Sequence, residues 1–180
     1  MHATLCLIPA YIELTAHARA GKLYVSGGNS GGIVLSSVEE YTVELDSWVL
    51  VVSMPGPRSN HRMAVHDDGI YVIGGYSGRR RIAYVLKNVG NVVREWEDAA
   101  PLSVSHSSFT VVDFRGEMYV IGGVTDAGLT PAVEHYSSVS NTWRSLVAPL
   151  GRPLAAMDAC SVVGLAAARG WSAGNNCSGV

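Results

Sequence analysis

The stretch "MYVIGG", Met118–Gly123, is an apolar run that stops on two glycines, and the chain writes it three times. The other copies are "IYVIGG" at Ile70–Gly75 and "LYVSGG" at Leu23–Gly28. The first glycines, Gly27, Gly74 and Gly122, are 47 and 48 residues apart. Trp48, Trp96 and Trp143 step by 48 and 47, and Pro55, Pro101 and Pro149 by 46 and 48. Three markers on one period of about 47 residues place the chain among repeat proteins, in the range of propeller blades.

Each unit reads as four short strands. The first is "RMAVHD" (Arg62–Asp67) or "FTVVDF" (Phe109–Phe114), followed by a glycine-bearing turn such as "DDG" or "FRGE". The second is the glycine-pair strand, apolar on both faces, as a strand between two neighbouring sheets must be. The third carries "VEEY" (Val38–Tyr41) or "VEHY" (Val133–Tyr136), with "LKNV" (Leu86–Val89) at that distance from the tryptophan in the middle unit. The fourth opens at the tryptophan. Paired glycines admit backbone that other residues avoid, close to a neighbouring chain. The tryptophan fills the gap between twisted sheets. Glu39 and Glu134 are expected to accept backbone N–H bonds inside an apolar strand. The marker residues Gly27, Gly28, Gly74, Gly75, Gly122, Gly123, Glu39, Tyr41, Glu134, Tyr136, Trp48, Trp96 and Trp143 are thus read as structural.

Composition narrows function by exclusion. The chain has 180 residues, 48 % apolar and 16 % charged, with net charge −2. That is a globular balance, poorly suited to general binding of nucleic acid or anionic membrane. No apolar run reaches the 18–20 residues or so of a membrane helix. Cys6, Cys160 and Cys177 form neither a C-x-x-C pair nor a disulfide framework, so a reducing, cytoplasmic location is expected. The opening "MHATLCLIPAYIELTAHARA" lacks the basic start of a signal peptide, and the "NCS" triplet at Asn176–Ser178 is too short to carry weight.

The doubled glycine, Glu-x-Tyr strand and periodic tryptophan resemble the kelch-repeat family over roughly Gly21 to Pro153. "Y-V-I-G-G" and "W-x-x-x-x-P" spacings look most like the propeller half of BTB-kelch (kelch-like) proteins. The resemblance implies an all-β, incomplete kelch β-propeller: three four-stranded blades with remnants at both ends. Residues 1–20 are expected to be irregular or a partial blade, 21–56, 57–102 and 103–152 the three repeats, and 153–180 the start of a fourth blade with a divergent tail. It also implies a protein-interaction module, the substrate-recognition part of a cullin-3 ubiquitin ligase adaptor. Direct cullin contact is not expected without a BTB segment. Alternatives are a cytoskeletal, actin-binding kelch protein and, remotely, a kelch-propeller enzyme. No nucleophile elbow, phosphate loop or metal-ligand spacing supports the last, and no cofactor or metal is expected.

On such a propeller, partners meet the loops at the strand ends. The loops between units are "PRSNHR" (Pro57–Arg62) and "SVSHSS" (Ser103–Ser108), and those after the glycines are "NSGGIV", "YSGRRR" and "VTDAGL". Arg58, Asn60, His61, Arg62, Tyr76, Arg79, Arg80 and Arg81, with Ser105 and His106, are the expected partner-binding set. Arginines converging there suit bidentate recognition of an acidic peptide motif, and the resemblance points to Arg62 first.

A fourth glycine pair is due near residue 170, yet "SVVGLAAARGWSAGNNCSGV" follows instead. That break suggests a truncated or alternatively spliced product, with two blade faces lacking neighbours. The isolated chain is then expected to oligomerise or remain partly unfolded. A monodisperse monomer melting in one sharp transition, seen by light scattering and calorimetry, contradicts that expectation.

Overall fold

The computed structural model describes residues 13–89 and 93–159. The three cysteines, the leading segment up to residue 12, the "NCS" triplet and the expected fourth glycine pair all lie outside the described residues.

The strands in chain order are β1 (Thr15–Arg19), β2 (Lys22–Ser26), β3 (Asn29–Ser30), β4 (Ile33–Val34), β5 (Val38–Thr42), β6 (Ser47–Leu50), β7 (Arg62–His66), β8 (Gly69–Ile73), β9 (Val85–Val89), β10 (Glu97–Ala99), β11 (Thr110–Phe114), β12 (Glu117–Ile121), β13 (Val124–Thr125), β14 (Gly128–Leu129), β15 (Val133–Ser137) and β16 (Thr142–Ser145). They build three antiparallel four-stranded blades, β1-β2-β5-β6, β7-β8-β9-β10 and β11-β12-β15-β16. The hairpins β3–β4 and β13–β14 stand apart as small ribbons. Turns joining first and second strands have positive φ at Ala20 and Gly21, and at Arg115 and Gly116, which suits the right-handed twist of a tight hairpin. The sheets form an arc that does not close among the described residues.

Two details differ from the sequence reading. The first blade begins before residue 21, because Thr15–Arg19, in the segment expected to be irregular, is its first strand. The glycine-pair strand is second from the axis: β7 lies against both β1 and β11, which puts the first strands at the centre. In the middle blade, Val85 pairs with Ile73 as Val133 pairs with Ile121. The segment matching "VEHY" is therefore Val85–Asn88, one residue earlier than the distance to Trp96 suggests. A one-residue slip exchanges the faces of a strand, so Leu86, not Lys87, stands at the buried position of Glu134.

Burial follows neighbours rather than strand sequence. The middle strand β8 is buried at every residue, whereas β12, of nearly identical sequence, alternates half-buried and buried. Blade 2 has a blade on each side, and Met118 and Val120 of β12 face it in a core with Tyr71, Ile73, Val85 and Phe109. Between blades 1 and 2 lie Tyr24, Met63 and Ile70, with Val38, Met54, Val72 and Leu86 beside them.

Two repeating bonds set blade against blade. The second glycine of each pair donates its N–H to a carbonyl in the following loop: Gly28 to Arg58 (2.7 Å), Gly75 to His106 (2.8 Å) and Gly123 to Leu154 (2.7 Å). Nearer the axis, Asn60 donates to Glu13 O (3.0 Å), Ser108 to Asn60 O (2.9 Å) and Ala156 to Ser108 O (2.8 Å). All four of these residues hold positive φ, between 52° and 61°. The opening of a fourth unit at Leu154–Ala156 thus follows the same geometry.

A Cβ on Gly74, at φ +54°, would stand 2.8 Å from His106 O and 2.9 Å from the Phe109 ring, while one on Gly116 at φ +74° meets open space. Gly74→Ala is therefore expected to lose about 3 kcal/mol or more, left-handed strain plus overpacking, against about 1 kcal/mol for Gly116→Ala. Urea unfolding of the two variants side by side measures the difference.

Candidate functional site: the loop cavity beside the propeller axis

Several of the blade markers bond or pack between blades. Trp96 and Trp143 each donate the indole N–H backwards across a blade boundary, to Val52 O (3.1 Å) and Ala100 O (3.0 Å). Tyr136 and Trp143 pack with ring centroids 5.0 Å apart, and Tyr41 and Trp48 repeat the arrangement at 5.2 Å. The first pair is buried against blade 2, the second half-exposed. Glu134 is fully buried, accepts Ser103 N–H at 2.7 Å and lies 3.1 Å from His106 Nε2. Burial pushes its carboxyl upward, but the contacts from His106 and Ser103 outweigh that and hold it below its ordinary value.

Four of the expected partner-binding residues serve the fold instead. Arg58 is fully buried, donates Nη1 to Gly74 O and Tyr84 O (both 3.1 Å) and lies over the Tyr84 ring. His106 occupies the same slot one blade later, hydrogen-bonding to Gly122 O (3.0 Å). His106 meets Glu134, whose register position in blade 2 is held by Leu86, and Arg58 Nε and Nη2 are left without hydrogen-bond partners. Burial lowers the Arg58 pKa to about 10, which leaves it charged at neutral pH. His61 is buried against Gly27 and hydrogen-bonded to Ser26 Oγ (2.8 Å). Burial, with the nearby charges of Arg58 and Arg62, pushes its pKa down to about 3, so it is neutral. Arg62 reaches along the axis to Phe109 O (2.9 Å) and Met157 O (3.0 Å). It opens onto a different cavity, of about 510 Å³, between the first strands. A fully buried guanidinium such as that of Arg58 faces no partner, and a loop sequence does not show which of its side chains turn inward.

The remaining residues do converge. Asn60, Tyr76, Arg79, Arg80 and Arg81 line one cavity of about 650 Å³, with Glu13, Asn29, Ser59, Ser107, Ser108 and Asp126. Arg79 and Arg80 are exposed, and Arg81 is half-buried. Arg81 Nη1 donates to Asp126 Oδ1 (3.0 Å) and Nε to Ser107 Oγ (3.2 Å), and Ser105 Oγ donates to Asp126 Oδ2 (3.3 Å). Ser105 thus reaches the site only through Asp126. Asp126 and Glu13 were not among the expected residues. The signal for Asp126 was present, since "VTDAGL" follows its glycine pair as "YSGRRR" follows its own.

The three loops after the glycines close by the same pairing. Asn29 pairs with Val34, Tyr76 with Arg81 and Val124 with Leu129. Residues Gly32, Ile33 and Val34, and Ala127, Gly128 and Leu129, therefore stand where Arg79, Arg80 and Arg81 stand. The loop closes without arginine in the other two blades, so the fold does not require the three arginines.

Comparison with known proteins agrees with this architecture. The Kelch motif profile matches residues 13–55, 57–87 and 105–149, more than half of the chain. The chain belongs to the kelch-repeat family. Among curated relatives of this kelch chain, human Kelch-like protein 35 is 32 % identical over 124 residues, covering 68 % of this chain and 21 % of the relative. Beta-scruin of Limulus polyphemus is 32 % identical over 119 residues, covering 61 % of this chain and 13 % of the relative. The kelch chain therefore spans about a fifth or less of the length of these relatives. The solved structure of YjhT superposes with a TM-score of 0.69 at 22 % identity, over 79 % of this chain and 53 % of that one, a likeness of fold.

Glu134 supplies a pH test of blade packing. Its folded-state pKa lies below the ordinary 4.5. Its stabilisation is therefore complete above the unfolded-chain value and is lost as pH falls through the lower folded value. Glu134→Gln is expected to lose about 2 kcal/mol at pH 7, with the gap to wild type narrowing below pH 4.5. Urea titrations across that range measure it.

Proposed function

We propose that this kelch chain recognises an acidic segment of a protein partner through the loop cavity, with Arg79 and Arg80 as the principal readers. The observation that carries the reading is the position of the arginines. They occupy a loop that the other two blades build without arginine, they are exposed, and they line a concave site with hydroxyl and amide groups. Paired guanidinium forks give two parallel donors to each carboxylate, more than a lysine point charge does. Asn60 and the Tyr76 hydroxyl add neutral hydrogen-bonding groups at the same rim.

Kelch-like relatives are interaction modules, and we further propose that the longer product of this sequence serves as the substrate-recognition part of a cullin-3 ubiquitin ligase in the cytoplasm. Cullin contact then belongs to a separate domain, and this chain supplies the target-binding face without enzymatic activity of its own. The recurring glycine-pair strand, with a tryptophan and then a proline after it in each unit, supports the kelch-like reading.

Affinity capture with wild type and the double variant Arg79→Ala/Arg80→Ala, followed by quantitative mass spectrometry, tests the face. The double variant is expected to lose its principal protein partner at least tenfold, with unchanged circular dichroism and melting. Equal recovery by both proteins overturns the proposed face. Capture with the longer product is expected to bring cullin-3, and actin as the main companion overturns the ligase reading in favour of a cytoskeletal one.

A further inference from the structure

The cavity carries carboxylates of its own, Glu13 and Asp126, and the second is paired with an arginine. Asp126 sits at the tip of the β13–β14 hairpin of blade 3, and its two oxygens contact Arg81 Nη1 of blade 2 and Ser105 Oγ of the intervening loop. The acid is the exposed member of the ion pair: the Asp126 side chain is 74 % accessible and that of Arg81 28 %. A carboxylate arriving from solvent meets Asp126 already on the outer face of the guanidinium.

We propose that Asp126 is an internal competitor that occupies Arg81 in the free protein, in the place a partner carboxylate takes on binding. Asp126 is thereby a specificity residue, because it sets how acidic a partner must be to enter the site. The inference rests on the acidic-partner reading above.

Three observations carry it. The Asp126 carboxylate bonds only outside its own hairpin, whose tip is closed by Thr125 Oγ1 donating to Gly128 O (3.2 Å) and accepting Ala127 N–H (3.2 Å). The turn thus does not depend on the acid. Gly31 and Gly78 stand at the same position in the other two loops, so neither of those loops carries an acid there. Exposed ion pairs contribute little and are screened by salt, so exchanging one carboxylate for another on Arg81 costs little. A second, fixed negative charge at the rim still repels an incoming acid. The cavity's count then follows: Arg79 and Arg80 act on the partner at once, and Arg81 joins when Asp126 is displaced.

The test uses the full chain and fluorescein-labelled hexaglutamate as probe, with labelled hexalysine as the charge control, read by fluorescence anisotropy. Asp126→Asn is expected to tighten hexaglutamate binding about fivefold at low salt, and Asp126→Gly to do the same. The gain is expected to vanish when either change is made on an Arg81→Ala background. No tightening by either variant, or a gain that persists without Arg81, overturns the competitor role. If Arg79→Ala/Arg80→Ala still abolishes hexaglutamate binding in that case, the acidic-partner reading stands alone. If that double variant binds like wild type, the reading falls and takes the competitor with it.

Discussion

The bond from the second glycine of each pair to the next loop is the constraint on which the rest of the structure depends. Gly28, Gly75 and Gly123 each donate an N–H to a carbonyl that belongs to the following unit. That contact brings backbone against backbone, and the preceding glycine leaves no space for a side chain: a Cβ on Gly27 would lie 2.3 Å from Arg58 O, and one on Gly122 2.5 Å from Leu154 O. Only glycine combines this closeness with the positive φ that turns the chain away from the blade. Everything that recurs per blade, including the tryptophan reaching back to the previous blade, is registered by this clasp.

The clasp also explains why part of the expected recognition face is not one. Arg58 and His106 supply the accepting carbonyls, so their side chains are carried inward to the next glycine pair. Each then donates to the first glycine's carbonyl, Gly74 or Gly122. His61 and Phe109 fill the space that the missing side chains of Gly27 and Gly74 leave. Residues that look like loop cations in the sequence are thus tie points between blades. The chemistry left for a partner lies one turn further out, on the short excursions that follow the glycines.

Those excursions separate scaffold from function. All three close through the same pairing of first and sixth residue, yet only one carries arginines and only one carries an exposed aspartate facing them. Charge there is independent of the fold's needs, which is why it can be specified for a partner. The arrangement is interdigitated across blades: Arg81 and Asp126 come from neighbouring units and Ser105 and Ser107 from the loop between them. A recognition site of this kind exists only when adjacent blades are locked in register.

Much of this was legible in the residues. Gly122 and Gly123, their earlier copies and the period near 47 determined the blade architecture, because positive φ and close backbone approach restrict the position to glycine wherever it occurs. The arginine run Arg79–Arg81 was visible as a departure from the repeat. What the sequence did not determine is which way a loop side chain turns, or which face of a strand finds a neighbour. "IYVIGG" and "MYVIGG" are nearly the same words, yet β8 is buried throughout and β12 only in alternation. The slip that puts Leu86 in place of Glu134 became visible only in the pairing of β8 with β9. Periodicity acts through each residue's own backbone and is written locally. Burial, partnership and register are set by what packs alongside, and only the tertiary structure decides them.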